Sequence, residues 1–192
     1  TATSGTIDIN DSVTLIDLAG TGTNEITAGT NVELTDVTDS ANVVELGITA
    51  ADDITVANIT LDNLATALLD VNADTNGGGA TLSVAGSLNA GQIAIDGTGN
   101  DDIFNFAGTV TSTNTTITIN QANNVDFDGN VTAAAALTIS NVTTEVDLAA
   151  SVDLFAQNGN LTIDSNVTVI DLSGGSSTNE LRSTGGTVSL TA

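Results

Sequence analysis

The sequence is built from short triplets in which a polar residue lies between two apolar ones. Ile170-Asp171-Leu172 and Leu161-Thr162-Ile163 are typical examples. Alternation with a period of two is the pattern of a β-strand with one buried face. The chain also contains no Pro, so every residue after the first retains a backbone N–H for a strand ladder. These features predict an all-β fold.

The triplets fall into two families that alternate strictly along the chain. The first family has an acidic or amide residue at its centre, and its members are 16–18, 44–46, 69–71, 104–106, 125–127, 146–148 and 170–172. The second mostly has a hydroxyl residue there, and its members are 32–34, 59–61, 82–84, 117–119, 137–139, 161–163 and 188–190. Successive members are separated by 28, 25, 35, 21, 21 and 24 residues in the first family, and by 27, 23, 35, 20, 24 and 27 in the second. Because the two series lengthen and shorten together, each pair of triplets indicates one repeating unit.

Units of this length are typical of solenoids, in which each repeat buries its apolar residues by stacking on the next. We therefore predict one domain over residues 1–192, folded as a parallel β-helix of about seven coils. The interval of 35 residues predicts a loop or hairpin insertion at about 85–103. An antiparallel β-sandwich remains the alternative, since turn signals every 8–12 residues also suit that fold.

The charge balance restricts the partners of such a chain. It carries 24 acidic residues and a single basic one, Arg182, which gives a net charge of −23. Nucleic acids and anionic membranes need Lys and Arg to neutralise phosphate, so neither is expected as a partner, and no apolar segment is long enough to span a bilayer. A surface of this charge attracts cations.

The residue types that are missing restrict the chemistry. The chain has no His, Lys, Cys, Tyr or Trp, which excludes Ser-His catalysis and metal sites built from His or Cys. Paired acids remain, at Asp52-Asp53 and Asp101-Asp102. Neighbouring residues on a strand point to opposite faces, so neither pair is expected to form a catalytic couple of carboxyl groups. We predict that the protein is not an enzyme.

Three phrases in the second half of the chain carry a family resemblance. They are "GNVTAAAALTIS" (129–140), "NGNLTIDSNVTVIDLSGG" (158–175) and "STGGTVSLTA" (183–192). In style they resemble the repeats of bacterial exported β-helix surface proteins, the filamentous-haemagglutinin-like and autotransporter-like adhesins. The resemblance implies a right-handed parallel β-helix, secretion to the cell surface, and a structural or adhesive role.

A second resemblance is confined to one turn, "DGTGNDDIF" (96–104). It is similar to the calcium-binding nonapeptide of RTX proteins, G-G-x-G-x-D-x-U-x, with Asp101 at the position of the motif's acid. Hard cations prefer carboxylate and carbonyl oxygens. The resemblance implies that Asp96, Asn100, Asp101 and Asp102 are candidate calcium ligands. RTX sites use consecutive copies, however, and the motif occurs here once, so an acidic glycine turn without an ion remains the alternative.

Two functions are compatible with this sequence. The first is a structural subunit or segment of an extracellular filament, rod or surface layer, which stacks end to end on identical subunits or on the rest of a longer solenoid, because an open sheet edge recruits another strand. The second is an adhesin module whose 85–103 region binds a receptor or glycan. Calcium is the one cofactor indicated.

Overall fold

The computed structural model describes residues 1–16, 23–99, 101–164, 169–172 and 178–191. Within them the chain forms strands and turns and no helix. In chain order the strands are β1 (Ile7–Ile9), β2 (Val13–Ile16), β3 (Thr23–Ala28), β4 (Val32–Ala41), β5 (Glu45–Ala50), β6 (Ile54–Thr60), β7 (Leu68–Asn72), β8 (Thr81–Val84), β9 (Leu88–Ala90), β10 (Gln92–Asp96), β11 (Ile103–Phe106), β12 (Val110–Ser112), β13 (Ile117–Phe127), β14 (Val131–Ala133), β15 (Leu137–Leu148), β16 (Leu154–Ala156), β17 (Leu161–Asp164), β18 (Val169–Leu172), β19 (Leu181–Ser183) and β20 (Val188–Leu190).

Every pairing between these strands is parallel, and the pairings define three faces of a solenoid. Face A consists of β1, the start of β4, the start of β6, β8, β11, the end of β13, the end of β15 and β18. Face B consists of β2, the end of β4, the end of β6, β9, β12, β14, β16 and β19. Face C consists of β3, β5, β7, β10, the start of β13, the start of β15, β17 and β20. The predicted parallel β-helix of about seven turns is therefore confirmed, while its right-handedness stays a prediction.

The core is made of the apolar flanks of the triplets, stacked rung on rung. On face A, for example, Val84, Phe106 and Phe127 are paired in successive coils, and all three are buried. The rings of Phe106 and Phe127 stack with centroids 5.1 Å apart. Aligned aromatic and aliphatic side chains bury most of their surface against the next coil, which supplies the main stabilisation of a solenoid.

In the first half of the chain the two triplet families do not keep to separate faces. From Phe104 onward the acid-centred triplets lie on face A and the hydroxyl-centred triplets on face C, as the two-family pattern requires. Earlier, however, 69–71 lies on face C, 59–60 on face B, and 32–34 and 82–84 on face A. The central residue of a triplet faces outward on every face, so its chemical type does not identify the face.

The predicted insertion at about 85–103 is not present as a loop or hairpin. Strand β9 pairs in parallel with β6 and β12, and β10 pairs in parallel with β7 and β13. These residues are ordinary rungs of faces B and C. The interval of 35 residues arose because triplets on different faces were compared.

A candidate cation site between two stacked turns

Two acidic, glycine-rich turns lie one above the other at the corner between faces C and A. The first, 73–80, joins β7 to β8, and the second, 97–102, joins β10 to β11. Because β7 pairs with β10 and β8 pairs with β11, the two turns belong to consecutive coils. Backbone N–H groups that are not used by the strand ladders converge here.

Asp74 holds the first turn together. Its backbone has a positive φ of 60°, a conformation that Asp tolerates better than most residues, and its side chain is fully buried. The carboxylate accepts hydrogen bonds from the backbone N–H of Gly78 at 2.9 Å and of Gly79 at 3.2 Å. Burial alone would raise the pKa of Asp74, but the backbone N–H groups of Gly78 and Gly79, together with those of Gly77 and Asn76, outweigh burial and lower it.

Asp102 connects the second turn to the first. Its fully buried carboxylate accepts a hydrogen bond from the backbone N–H of Ala80 in the preceding coil at 2.8 Å, and another from Thr98 in its own turn at 3.1 Å. Its main-chain oxygen accepts from the N–H of Asn123 in the following coil at 2.7 Å. Through these hydrogen bonds, Asp102 links its own coil to the preceding and the following coil. Burial raises the pKa of Asp102, and the negative charge of Asp74 adds to that effect, although the N–H donors act against it.

Asp101 completes the group from the solvent side. It is exposed, and its carboxylate lies against Gly79, where a Cβ would come within 3.1 Å of Oδ2. One carboxylate oxygen from each of Asp74, Asp101 and Asp102 lies within 4.8 Å of the others. The two neighbours in sequence differ in burial, but their carboxylates converge, contrary to the prediction that the pair diverges, because both precede β11 and do not alternate along a strand.

This geometry fits a shared cation. Oxygens bound to one Ca²⁺ at roughly 2.3–2.6 Å can be at most about 5 Å apart, and the three carboxylates meet that limit. Two are buried and one faces solvent, which leaves an approach from outside. A carboxylate oxygen that accepts one N–H still has a lone pair for a metal. The cluster of three Asp residues is thus able to hold a metal ion.

The sequence located this site in part. Of the four candidate ligands, Asp101 and Asp102 belong to the cluster, whereas Asp96 accepts a hydrogen bond from Asn120 Nδ2 at 2.8 Å on face C. Asn100 lies outside the described residues. The sequence missed Asp74, the third carboxylate of the cluster. Its signal was a second acidic glycine turn, "DTNGGG" at 74–79, whose stacking on 97–102 became visible only with the correct register.

A second feature of the surface is a groove on face A. It has a volume of about 170 Å³ and is lined by the outward residues Thr55, Ser83, Asn105 and Asp126 together with Ala85, Ala107 and other apolar atoms. Asp126 is paired with Asp147 in the next coil. Burial raises the pKa of Asp126, and the charges of Asp128, Asp147 and Glu145 raise it further.

Comparison with protein-family models, with curated proteins and with solved structures yields no match. Across the described residues, no helix is both long and apolar enough to cross a membrane. Functional conclusions for this chain therefore rest on its own residues.

Proposed function

We propose that this chain is a structural subunit or segment of an extracellular filament, rod or surface layer. The observation that supports the proposal is the continuity of the ladders. Each face runs from the first to the last described coil, and β1 and β2 at one end, like β19 and β20 at the other, pair with one neighbouring strand each, while Ala2 bridges to Ala28 at the outer edge of β3. Such edges bind another strand readily. The added strand comes either from the rest of a longer solenoid or from a second copy.

Calcium is the cation that this proposal assigns to the Asp74–Asp101–Asp102 cluster. The net charge of −23 makes neighbouring coils and neighbouring rods repel each other, and a divalent ion bound between two turns reduces that repulsion. An ion that binds only the folded chain also stabilises it, by about 2.7 kcal/mol at a concentration one hundred times its Kd. Rod stability would thus depend on extracellular calcium.

Electron microscopy of the purified chain tests the structural role. Filaments or end-to-end rods are expected in calcium, with shorter particles after chelation. Dispersed rods of constant length in both conditions, at concentrations up to the solubility limit, would contradict self-assembly of this chain. If a longer stretch of the same solenoid also remained short and dispersed, the rod function itself would be contradicted.

Thermal unfolding tests the calcium site separately from assembly. In the wild-type chain, calcium is expected to raise Tm more than magnesium does, because Mg²⁺ demands a smaller octahedral site. The Asp101→Asn variant should lose most of that increase. Glu33→Gln, which removes one charge at an exposed position of face A, is the matched control and should retain it. Equal responses in both variants would show a non-specific charge effect.

The adhesin role is the second candidate, and the groove on face A is the feature that favours it. Its lining includes the hydroxyl, amide and carboxylate groups of Thr55, Ser83, Asn105 and Asp126, which can hydrogen-bond to a sugar. In the region 85–103, which the sequence suggested for this role, β9 and β10 belong to the ladders. A glycan array probed with wild type and with Asn105→Ala decides this candidate, since binding that the variant abolishes is required for it.

A further inference from the structure

The chain contains two Asn-Gly pairs, Asn76-Gly77 and Asn158-Gly159. In such a pair the backbone nitrogen of the glycine can attack the asparagine side chain, because glycine has no Cβ to obstruct ring closure and has the greatest backbone freedom. Whether the reaction occurs in a folded protein depends on the room around the glycine. The two pairs differ sharply in this respect.

Asn76-Gly77 lies in the open part of the first acidic turn. Residues 75–79 are all exposed, and a Cβ placed on Gly77 would meet no atom within 4 Å. The side chain of Asn76 folds back over the following backbone, since a Cβ on Gly78 would lie 2.8 Å from Asn76 Oδ1 and 3.8 Å from Cγ. The side chain of Asn76 therefore lies beside the exposed backbone of this turn, with no other coil packed against Gly77.

Asn158-Gly159 is confined by the preceding coil. A Cβ on Gly159 would lie 2.8 Å from the backbone nitrogen of Ala136 and 3.0 Å from the carbonyl carbon of Ala135. Asn158 Nδ2 donates a hydrogen bond to the carbonyl oxygen of Ala134 at 2.9 Å, but Asn76 Nδ2 donates a comparable one to Asp52 Oδ1 at 3.0 Å, so the room around the glycine is what separates the two pairs. Ring closure at this pair would have to displace the backbone of the neighbouring coil.

We infer that Asn76 is a site of spontaneous deamidation in the folded protein, and that Asn158 is protected from it. The nitrogen of Gly77 bonds to Cγ of Asn76, the Cγ–Nδ2 bond breaks, and the proton of the Gly77 N–H leaves with the amide as ammonia. Water then opens the resulting succinimide at either carbonyl, which gives aspartate or isoaspartate. The net change is the addition of one water and the loss of one ammonia, without an oxidant or a cofactor.

The product changes the contact between two coils. Asn76 Nδ2 donates a hydrogen bond to Asp52 Oδ1 at 3.0 Å in the preceding coil. After deamidation two carboxylates face each other there, and the donor is lost. The new charge also enters the turn that Asp74 holds closed, and isoaspartate lengthens its backbone. Deamidation at this corner is irreversible, so the fraction of modified molecules increases with the age of the protein.

Peptide mapping by mass spectrometry tests the inference on the intact chain. Native protein is incubated at neutral and at mildly acidic pH, and deamidation is followed in the peptides that contain Asn76 and Asn158. We expect the Asn76 peptide to deamidate several-fold faster than the Asn158 peptide, and faster at neutral pH. In denaturant the two rates should become similar, because both sequences are Asn-Gly.

Two outcomes would overturn the inference: equal rates in the native chain, or protection of Asn76 relative to the denatured chain. The Asn76→Gln variant controls for the assignment, since glutamine forms the corresponding ring slowly and its peptide should stay amidated. Gly159→Ala is not an informative control because it would disturb the coil. The Asn76→Asp variant reports the consequence, and its Tm should fall below that of Asn76→Gln.

Discussion

At two corners of the solenoid the chain turns from one face to the next in different ways. At the corner between faces A and B, residues 85–87, 107–109 and 128–130 make three-residue turns, with Gly86, Gly108 and Gly129 stacked backbone on backbone, whereas residues 149–153 join β15 to β16 at the same corner. At the corner between faces C and A the connection varies from eight residues at 73–80 to a bulge inside β13 and β15. There the buried carboxylates of Asp74 and Asp102 satisfy the backbone N–H groups.

The comparison shows two ways to stabilise a turn. Glycine leaves out the side chain, so the backbones of successive coils can come into contact. A buried carboxylate instead accepts hydrogen bonds from the backbone N–H groups of the turn. In the three glycine turns a Cβ on the glycine would overlap atoms of the preceding coil, so each of them requires glycine. The carboxylate corner accommodates different lengths because an acid with two oxygens can accept several donors. It places negative charge in the interior, and this is where a cation is useful.

The largest effect is expected from adding a side chain to the glycine corner. In Gly108→Ala the new Cβ would overlap the carbonyl oxygen of Gly86 and lie 3.0 Å from its Cα. Because the obstacle is backbone, we expect the free energy of unfolding to fall by about 1–3 kcal/mol or more. Gly5→Ala, whose Cβ would meet nothing within 4 Å, should change it by less than about 0.5 kcal/mol. Urea denaturation measures both, and equal stabilities would refute the steric account of this corner.

A smaller loss is expected from removing the acid of the other corner. Asp102→Ala leaves the N–H groups of Ala80 and Thr98 without their acceptor, and an unsatisfied buried donor costs about 1–3 kcal/mol. Relief of the repulsion from Asp74 offsets part of this, so we expect a loss of about 1–2 kcal/mol in calcium-free buffer. Asp101→Ala, which removes an exposed acid, should leave the calcium-free stability nearly unchanged. A larger loss in Asp101→Ala than in Asp102→Ala would reverse the assignment of roles.

The carboxylates outside the corners should make the chain more stable in mild acid. Burial raises the pKa of Asp126 and Asp70, and their acidic neighbours add to it: Asp128, Asp147 and Glu145 for Asp126, and Glu45 and Asp96 for Asp70. A group whose pKa is higher in the folded state binds its proton more tightly there, so folding is favoured as the pH falls through that pKa. We expect the urea midpoint to rise between pH 7 and roughly pH 4, near the ordinary pKa of Asp. A steady fall over that range would contradict this sign.

The three-residue glycine turns at 107–109 and 128–130 also help to explain which part of the fold could be predicted from the sequence. From Phe104 to Val146 the face A rungs are 21 residues apart, so the two triplet families keep their faces and the prediction holds. In the earlier coils the connections 61–67 and 73–80 differ in length from those of the later coils. Triplets of one family therefore lie on different faces. Asp101 and Asp102 could be found from a local motif, but Asp74 could not, because its place in the cluster depends on which turns are stacked.

The smallest predicted effect has the opposite sign to that of Asp102→Ala. Asp126 and Asp147 are directly paired in neighbouring coils of face A. Among the described residues, no basic side chain forms an ion pair with Asp126. Like charges placed opposite each other destabilise a sheet by roughly 0.2–1 kcal/mol. Asp126→Asn should therefore stabilise the chain by about that amount at pH 7, and the gain should shrink in acid, where wild-type Asp126 is protonated. Urea midpoints of wild type and variant at pH 7 and about pH 4 measure the difference. A loss of stability at pH 7 would mean that the carboxylates on the faces stabilise the fold, as the buried carboxylate does in the corner.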